Sequence, residues 1–166
     1  MRRRCHLLVI AGVACLWSAG AAAQTKIEWS DNCDKADPSY TVQVGDRPDH
    51  SFGLSQVKCR AAKAVKIGAD KGKEAVATIS ADSSGNKSRE RGVYVLTLES
   101  GDKAYLPFQG MIALKDGKPT GSEGTWTFAG GTGKLKGIKG KGTFKCSPAA
   151  GDAWNCSGEG EYELAK

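Results

Sequence analysis

The chain has 166 residues, with 24 Lys and Arg against 18 Asp and Glu and a formal net charge of +6 at pH 7. Residues 1–23 read as an export signal that removes three arginines and no acid, so the remaining 143 residues carry 21 basic against 18 acidic side chains. That small excess gives little footing for a polyanion partner, and the length fits one domain with a sizeable core.

Met1-Arg2-Arg3-Arg4, an apolar run from Leu7 to Trp17 and then Ala21-Ala22-Ala23 before Gln24 have the layout of a secretory signal peptide, cleaved after Ala23. The run is shorter than the roughly 20 apolar residues that span a bilayer, and no later segment approaches that length. A lipoprotein reading at Gly12-Val13-Ala14-Cys15 is disfavoured, because Gly12 stands where a branched apolar residue is usual. The expected location is therefore periplasmic or secreted. Four cysteines remain after cleavage, Cys33, Cys59, Cys146 and Cys156, and an even number in an oxidising compartment suggests two disulfides. There is no C-x-x-C and the one remaining histidine is His50, so no metal site and no cofactor are expected.

Residues 24–38 are polar, with "SDNCDKADP", and read as an N-terminal arm anchored by Cys33 ahead of a strand-built domain over 39–166. Tyr40, Val42 and Val44 alternate with polar residues. Phe52 and Leu54 do the same, but the phase slips near Gln56 and resumes at Val57 and Cys59, which predicts a bulge. Only "RAAKAVKI", residues 60–67, has a helical cast. Runs 75–81, 93–99, 103–109, 124–128, 139–146 and 154–164 are strand-like, separated by turn signals such as "DSSGN", "ESGDK" and "KDGKPTG". About eight short strands with hairpin-length connections predict an antiparallel barrel or sandwich.

The last strand is the clearest. Trp154, Cys156, Gly158, Gly160, Tyr162 and Leu164 share one face, while Glu159, Glu161 and Glu163 share the other, which reads as one buried and one solvated face. If Cys146 pairs with Cys156 across the "SPAAGD" turn, Phe144 falls opposite Gly158, Gly142 opposite Gly160 and Gly140 opposite Tyr162. Lys141 then faces Glu161 and Lys139 faces Glu163, so the lysines have acidic neighbours.

That register bears on "GGTGKLKGIKGKGTFKC", residues 130–146, which superficially resembles a phosphate or nucleic-acid loop. The P-loop pattern fails because Lys134 is followed by Leu135 and Lys141 by Gly142, with no helix after either. The dinucleotide fingerprint is one residue too long and leads into a strand. The RNA-recognition pattern lacks its stacking rings, since Lys141 and Thr143 occupy their places. No nucleic-acid partner is expected.

"EGTWTFAGGTGKLKGIKGKGTFKC" followed by "GEGEY" resembles the glycine-rich hairpin of the allene oxide cyclase and dirigent protein superfamily, specifically its small exported bacterial members. The match covers residues 101–166. It implies an all-β, eight-stranded antiparallel barrel enclosing an apolar cavity, and it implies no particular reaction or catalytic residue. Phe52, Tyr94, Phe108, Trp126, Phe144 and Tyr162 are the candidate lining of such a cavity. His50, with Gln56 and Lys58 near one rim, is the one candidate acid or base group. Three functions follow: a binding module for a small apolar ligand, a cyclase-like or dirigent-like enzyme that works through its cavity, and a structural envelope protein with a filled barrel. Oligomeric state is not specified by these features.

Overall fold

The computed structural model describes residues 24–165, so the expected signal peptide over residues 1–23 lies outside the described residues. Ten strands run in chain order: β1 (Thr25–Cys33), β2 (Ser39–Gln43), β3 (Ser51–Lys63), β4 (Lys66–Ile67), β5 (Asp70–Ser84), β6 (Lys87–Leu98), β7 (Lys103–Lys115), β8 (Lys118–Thr127), β9 (Lys139–Pro148) and β10 (Trp154–Glu163). Eight of them close a ring in the order β1, β10, β9, β8, β7, β6, β5, β3 and back to β1, every pairing antiparallel. The two others flank this barrel, β2 on the edge of β3 and β4 on β5. Closure leaves the ring itself without an exposed sheet edge.

The eight-stranded barrel expected from the sequence is present, but its membership differs. The segment read as an arm supplies β1, which enters between β10 and β3 and completes the ring. Its alternation was masked because one of the inward positions, Ile27, Trp29, Asp31 and Cys33, is an aspartate. The short helical cast at 60–67 also gives way to strand, as Arg60 and Ala61 pair with Asn32 and Asp31. A ladder partner on β1 outweighs the modest helix propensity of three alanines. The predicted bulge near Gln56 is absent too. The pairing of β3 with β5 runs unbroken from Ser51 to Arg60, so Phe52 and Leu54 point outward while Val57 and Cys59 point inward.

The C-terminal hairpin has the predicted register at every position: Cys146 opposite Cys156, Phe144 opposite Gly158, Gly142 opposite Gly160, Lys141 opposite Glu161 and Lys139 opposite Glu163. Both disulfides, Cys146–Cys156 and Cys33–Cys59, bridge directly opposed residues. None of the ion pairs formed among the described residues joins these lysines and glutamates, so their contribution is diffuse attraction across a wet face. The hairpin's inward glycines accommodate rings from neighbouring strands. Trp126 lies against Gly142 and Gly160, and Trp29 lies against Gly158.

The two halves of the barrel are filled differently. At the end where β6 turns into β7, the segment after β8 folds across the opening and buries Leu135 and Ile138 beside Leu98, Ile67 and Phe128. Asp102 anchors this plug by accepting a hydrogen bond from the Lys134 amide, and Thr132 Oγ1 accepts one from the Lys103 amide. Tyr162 belongs to the same packed end, its hydroxyl accepting from the Gly68 amide at 2.8 Å. Each such apolar side chain contributes about 1.5–3 kcal/mol by leaving water. The lysines of "GKLKGIKG" stay outside while its Leu and Ile act as the stopper.

Candidate functional site

The opposite half of the barrel, towards the turns joining β5 to β6 and β9 to β10, contains a chamber of about 210 Å3. Tyr94, Phe108, Trp126 and Phe144 contribute to its wall, together with Trp29, Trp154, Leu106 and Ile112. Strand alternation delivers these side chains, since inward positions on each strand recur every second residue. Phe108 and Phe144 meet edge to face, with ring centroids 5.7 Å apart, and Trp29 stacks on Tyr94 at 5.8 Å. Both disulfides also form part of the wall, tying β1 to β3 and β9 to β10 around it.

Two of the six aromatics expected to line a cavity lie elsewhere. Phe52 is half exposed on the outer surface, because β3 carries no bulge to turn it inward. Tyr162 is buried in the packed end, away from the chamber wall. His50, Gln56 and Lys58 do not converge on the chamber either. His50 is buried at the β2–β3 turn, where its Nδ1 bonds to Asp46 and its Nε2 lies 3.1 Å from Asp82. The hydrogen bond from His50 holds the Asp46 carboxyl below its ordinary range. Gln56 reaches Thr78 at 3.3 Å, and Lys58 occupies an exposed outward position. The histidine therefore latches a turn.

The polar chemistry of the chamber comes from residues that sequence reasoning passed over. Glu90 is 5% exposed, and Ser122 donates a hydrogen bond to its Oε1. Among the described residues its Oε2 has no hydrogen-bond partner, yet it is not sealed from open space. Burial raises the Glu90 carboxyl above its ordinary range, with the Ser122 hydrogen bond opposing that rise. Behind the stacked Trp29–Tyr94 pair, the Tyr94 hydroxyl donates to Asp31, which is 7% exposed. Burial lifts the Asp31 carboxyl, and burial followed by the Asp31 charge pushes the Tyr94 phenol well up. A usable signal existed: continuing the inward alternation of Leu98, Leu96 and Tyr94 back along β6 reaches Gly92, Glu90 and Ser88.

A larger depression of about 800 Å3 crosses the outer surface of β1, β10, β9, β8 and β7, flanked by outward-facing Ser30, Asn32, Lys145 and Ser157. It has room, but it is an open groove whose lining mixes Ser and Asn with Met111, Lys87, Glu123 and Lys145 along the strands, with no polar group drawn into an enclosed apolar wall. The interior chamber combines an apolar wall with a converging carboxyl, the usual makeup of a small-molecule site. Among the described residues, no three His, Cys, Asp or Glu side chains are grouped to hold a metal ion.

Among the described residues no helix is long and apolar enough to cross a membrane. No family model matches the chain, and no curated protein matches it. Its structure is similar to that of the pterocarpan synthase dirigent protein GePTS1, with a TM-score of 0.50 and 11% sequence identity over 93% of this chain and 100% of that one. At that identity the likeness concerns the fold. Together with the closed eight-stranded ring and the glycine-rich hairpin, it establishes that this chain has the dirigent and allene oxide cyclase type of β-barrel.

Proposed function

We propose that the protein binds a compact, largely apolar small molecule in the open half of its barrel, anchored by a hydrogen bond donated to Glu90. The supporting observation is Glu90 Oε2, an acceptor with no partner among the described residues, in an apolar chamber. A chamber of about 210 Å3 suits a single ring with short substituents; an apolar cavity of roughly 150 Å3 already holds benzene. The charge of the wall narrows the class further. Among the described residues its acidic side chain is Glu90, and it includes no Lys, Arg or His. An anionic ligand would meet Glu90 with no compensating cation, so the fitting ligands are neutral hydroxyl compounds or amines.

Titration of intrinsic tryptophan fluorescence tests this, because Trp29, Trp126 and Trp154 all face the chamber. Phenol and benzylamine are expected to change the emission saturably and benzoate is not. Glu90→Gln is expected to weaken benzylamine and to remove the exclusion of benzoate. Saturable binding of benzoate to the unaltered protein with an affinity equal to that of phenol would defeat the proposal.

A second reading, catalysis of a cyclase-like or dirigent-like kind, is favoured by one observation: a carboxyl with raised proton affinity stands inside the chamber, where it can carry a proton. The structural neighbour is itself described as a synthase. The filled-barrel structural role is the reading that the chamber counts against. We place the protein outside the cytoplasm, in the periplasm or the medium, on the signal-like residues 1–23 and the two disulfides.

A further inference from the structure

Glu90 is bracketed by aromatic rings. The residue directly opposite it on β7 is Gly110, and the next inward residue along β6 is Gly92. A β-carbon built on Gly110 would stand 2.9 Å from Phe144 Cζ, and one built on Gly92 would stand 2.8 Å from Phe108 Cζ. Both rings therefore lie on bare backbone at the inward positions nearest to Glu90, one across the sheet and one along its strand. The Glu90 side chain crosses β7 to reach Ser122 on β8, and Phe144 also overlies Gly124, the next inward residue after Ser122. Trp29, Tyr94, Trp126 and Trp154 extend this aromatic wall around the chamber.

We infer that the ligand of this chamber is a protonated organic amine, its N–H donating to Glu90 Oε2 and its charge resting against the rings of Phe108 and Phe144. This rests on the reading of the chamber as a binding site and narrows its ligands from hydroxyl compounds and amines to cations. An alcohol offers Glu90 a hydrogen bond alone. An ammonium offers the hydrogen bond, the counter-charge that the wall does not supply, and attraction to the ring quadrupoles, which is strongest where water is excluded. Burial raises the proton affinity of the Glu90 carboxyl, and an arriving ammonium opposes that rise by favouring the ionised form. Donors in the wall do not compete for the carboxylate: the Tyr94 hydroxyl is committed to Asp31 and Trp126 Nε1 to the Thr143 carbonyl, while Phe108 and Phe144 have no polar hydrogen. The cation is organic, because a calcium or magnesium ion takes about six or more oxygen ligands and the wall sets its carboxyl among rings.

Paired titrations with benzylamine, which is protonated at neutral pH, and benzyl alcohol, its uncharged counterpart of the same shape, test the inference through tryptophan fluorescence. Benzylamine is expected to bind at least about 10-fold more tightly. Glu90→Gln should bring the two affinities to within about 2-fold of each other. Phe144→Leu and Phe108→Leu keep an apolar side chain but remove a ring, so each should weaken benzylamine by about 5-fold and benzyl alcohol by less than about 2-fold. Far-UV circular dichroism checks that each variant is folded, and the two leucine variants give independent routes to the same comparison. Saturable binding of both compounds with equal affinity would overturn the inference while leaving the chamber a binding site. A loss in both leucine variants that is equal for the amine and the alcohol would also overturn it. Saturation by neither compound would remove the binding reading itself, and the inference with it.

Discussion

Gly142 tests the packing logic of the barrel most directly. A β-carbon built there would stand 2.1 Å from the carbonyl oxygen of Glu159 and 2.4 Å from Trp126 Cζ2. Neither obstacle moves cheaply. The first is backbone of the paired strand β10, and the second belongs to an indole that is 3% exposed and whose Nε1 donates to the Thr143 carbonyl at 3.1 Å. Gly142→Ala should therefore cost about 3 kcal/mol, the upper end of overpacking penalties, less the fraction of a kcal/mol that alanine returns by restricting the unfolded chain. For a domain of this size that is a fall of roughly 5–12 °C in melting temperature. The control is Gly121→Ala, where the nearest atom is the Cys146 carbonyl oxygen at an ordinary 3.6 Å, and where the change should stay within about 0.5 kcal/mol. Thermal unfolding followed by circular dichroism under oxidising conditions measures both. Equal melting temperatures for the two variants would refute the claim that Gly142 and Gly160 exist to admit Trp126.

Folding raises the Glu90 and Asp31 carboxyls above their ordinary values of 4.5 and 3.8, so their favourable contribution is complete below those values and fades as pH rises through the folded-state pKa. The melting temperature of Glu90→Gln should accordingly gain on that of the unaltered protein as pH climbs above 4.5, and a difference that shrinks over that range would contradict the sign. The disulfides close loops with sequence separations of 26 and 10 residues, worth roughly 3.5 and 2.7 kcal/mol on a chain-entropy basis. Replacing Cys33 and Cys59 by alanine should thus lower the denaturation midpoint more than replacing Cys146 and Cys156. Edman sequencing of protein recovered from an expressing cell's export compartment should begin at Gln24, and an intact Met1 would remove the export reading.

The fold was legible where alternation was clean. "WNCSGEGEYEL" sets apolar and small residues against glutamates without a break, so its pairing with "KGKGTFKC" followed from one assumed disulfide and held at every position. It was illegible where a residue of the opposite polarity to its face interrupted the pattern. Asp31 made β1 look like a loop, and the outward Phe52 and Leu54 made a straight strand look bulged. Glu90 was missed for a related reason, since a charged residue near a strand start reads as solvated until the strand is known to begin at Lys87.

What the sequence determined by itself is local and periodic: an all-β chain, cysteines placed to bridge neighbours and glycines placed where rings must fit. These follow from side-chain alternation and cross-strand opposition, which act between residues one ladder apart. Tertiary closure decided the rest. Whether an inward position meets packed side chains or open space depends on strands on the far side of the ring, and no local pattern encodes them. Leu135 and Ile138 therefore became a stopper at one end, while Glu90, with Oε2 unpaired among the described residues, came to face a chamber at the other.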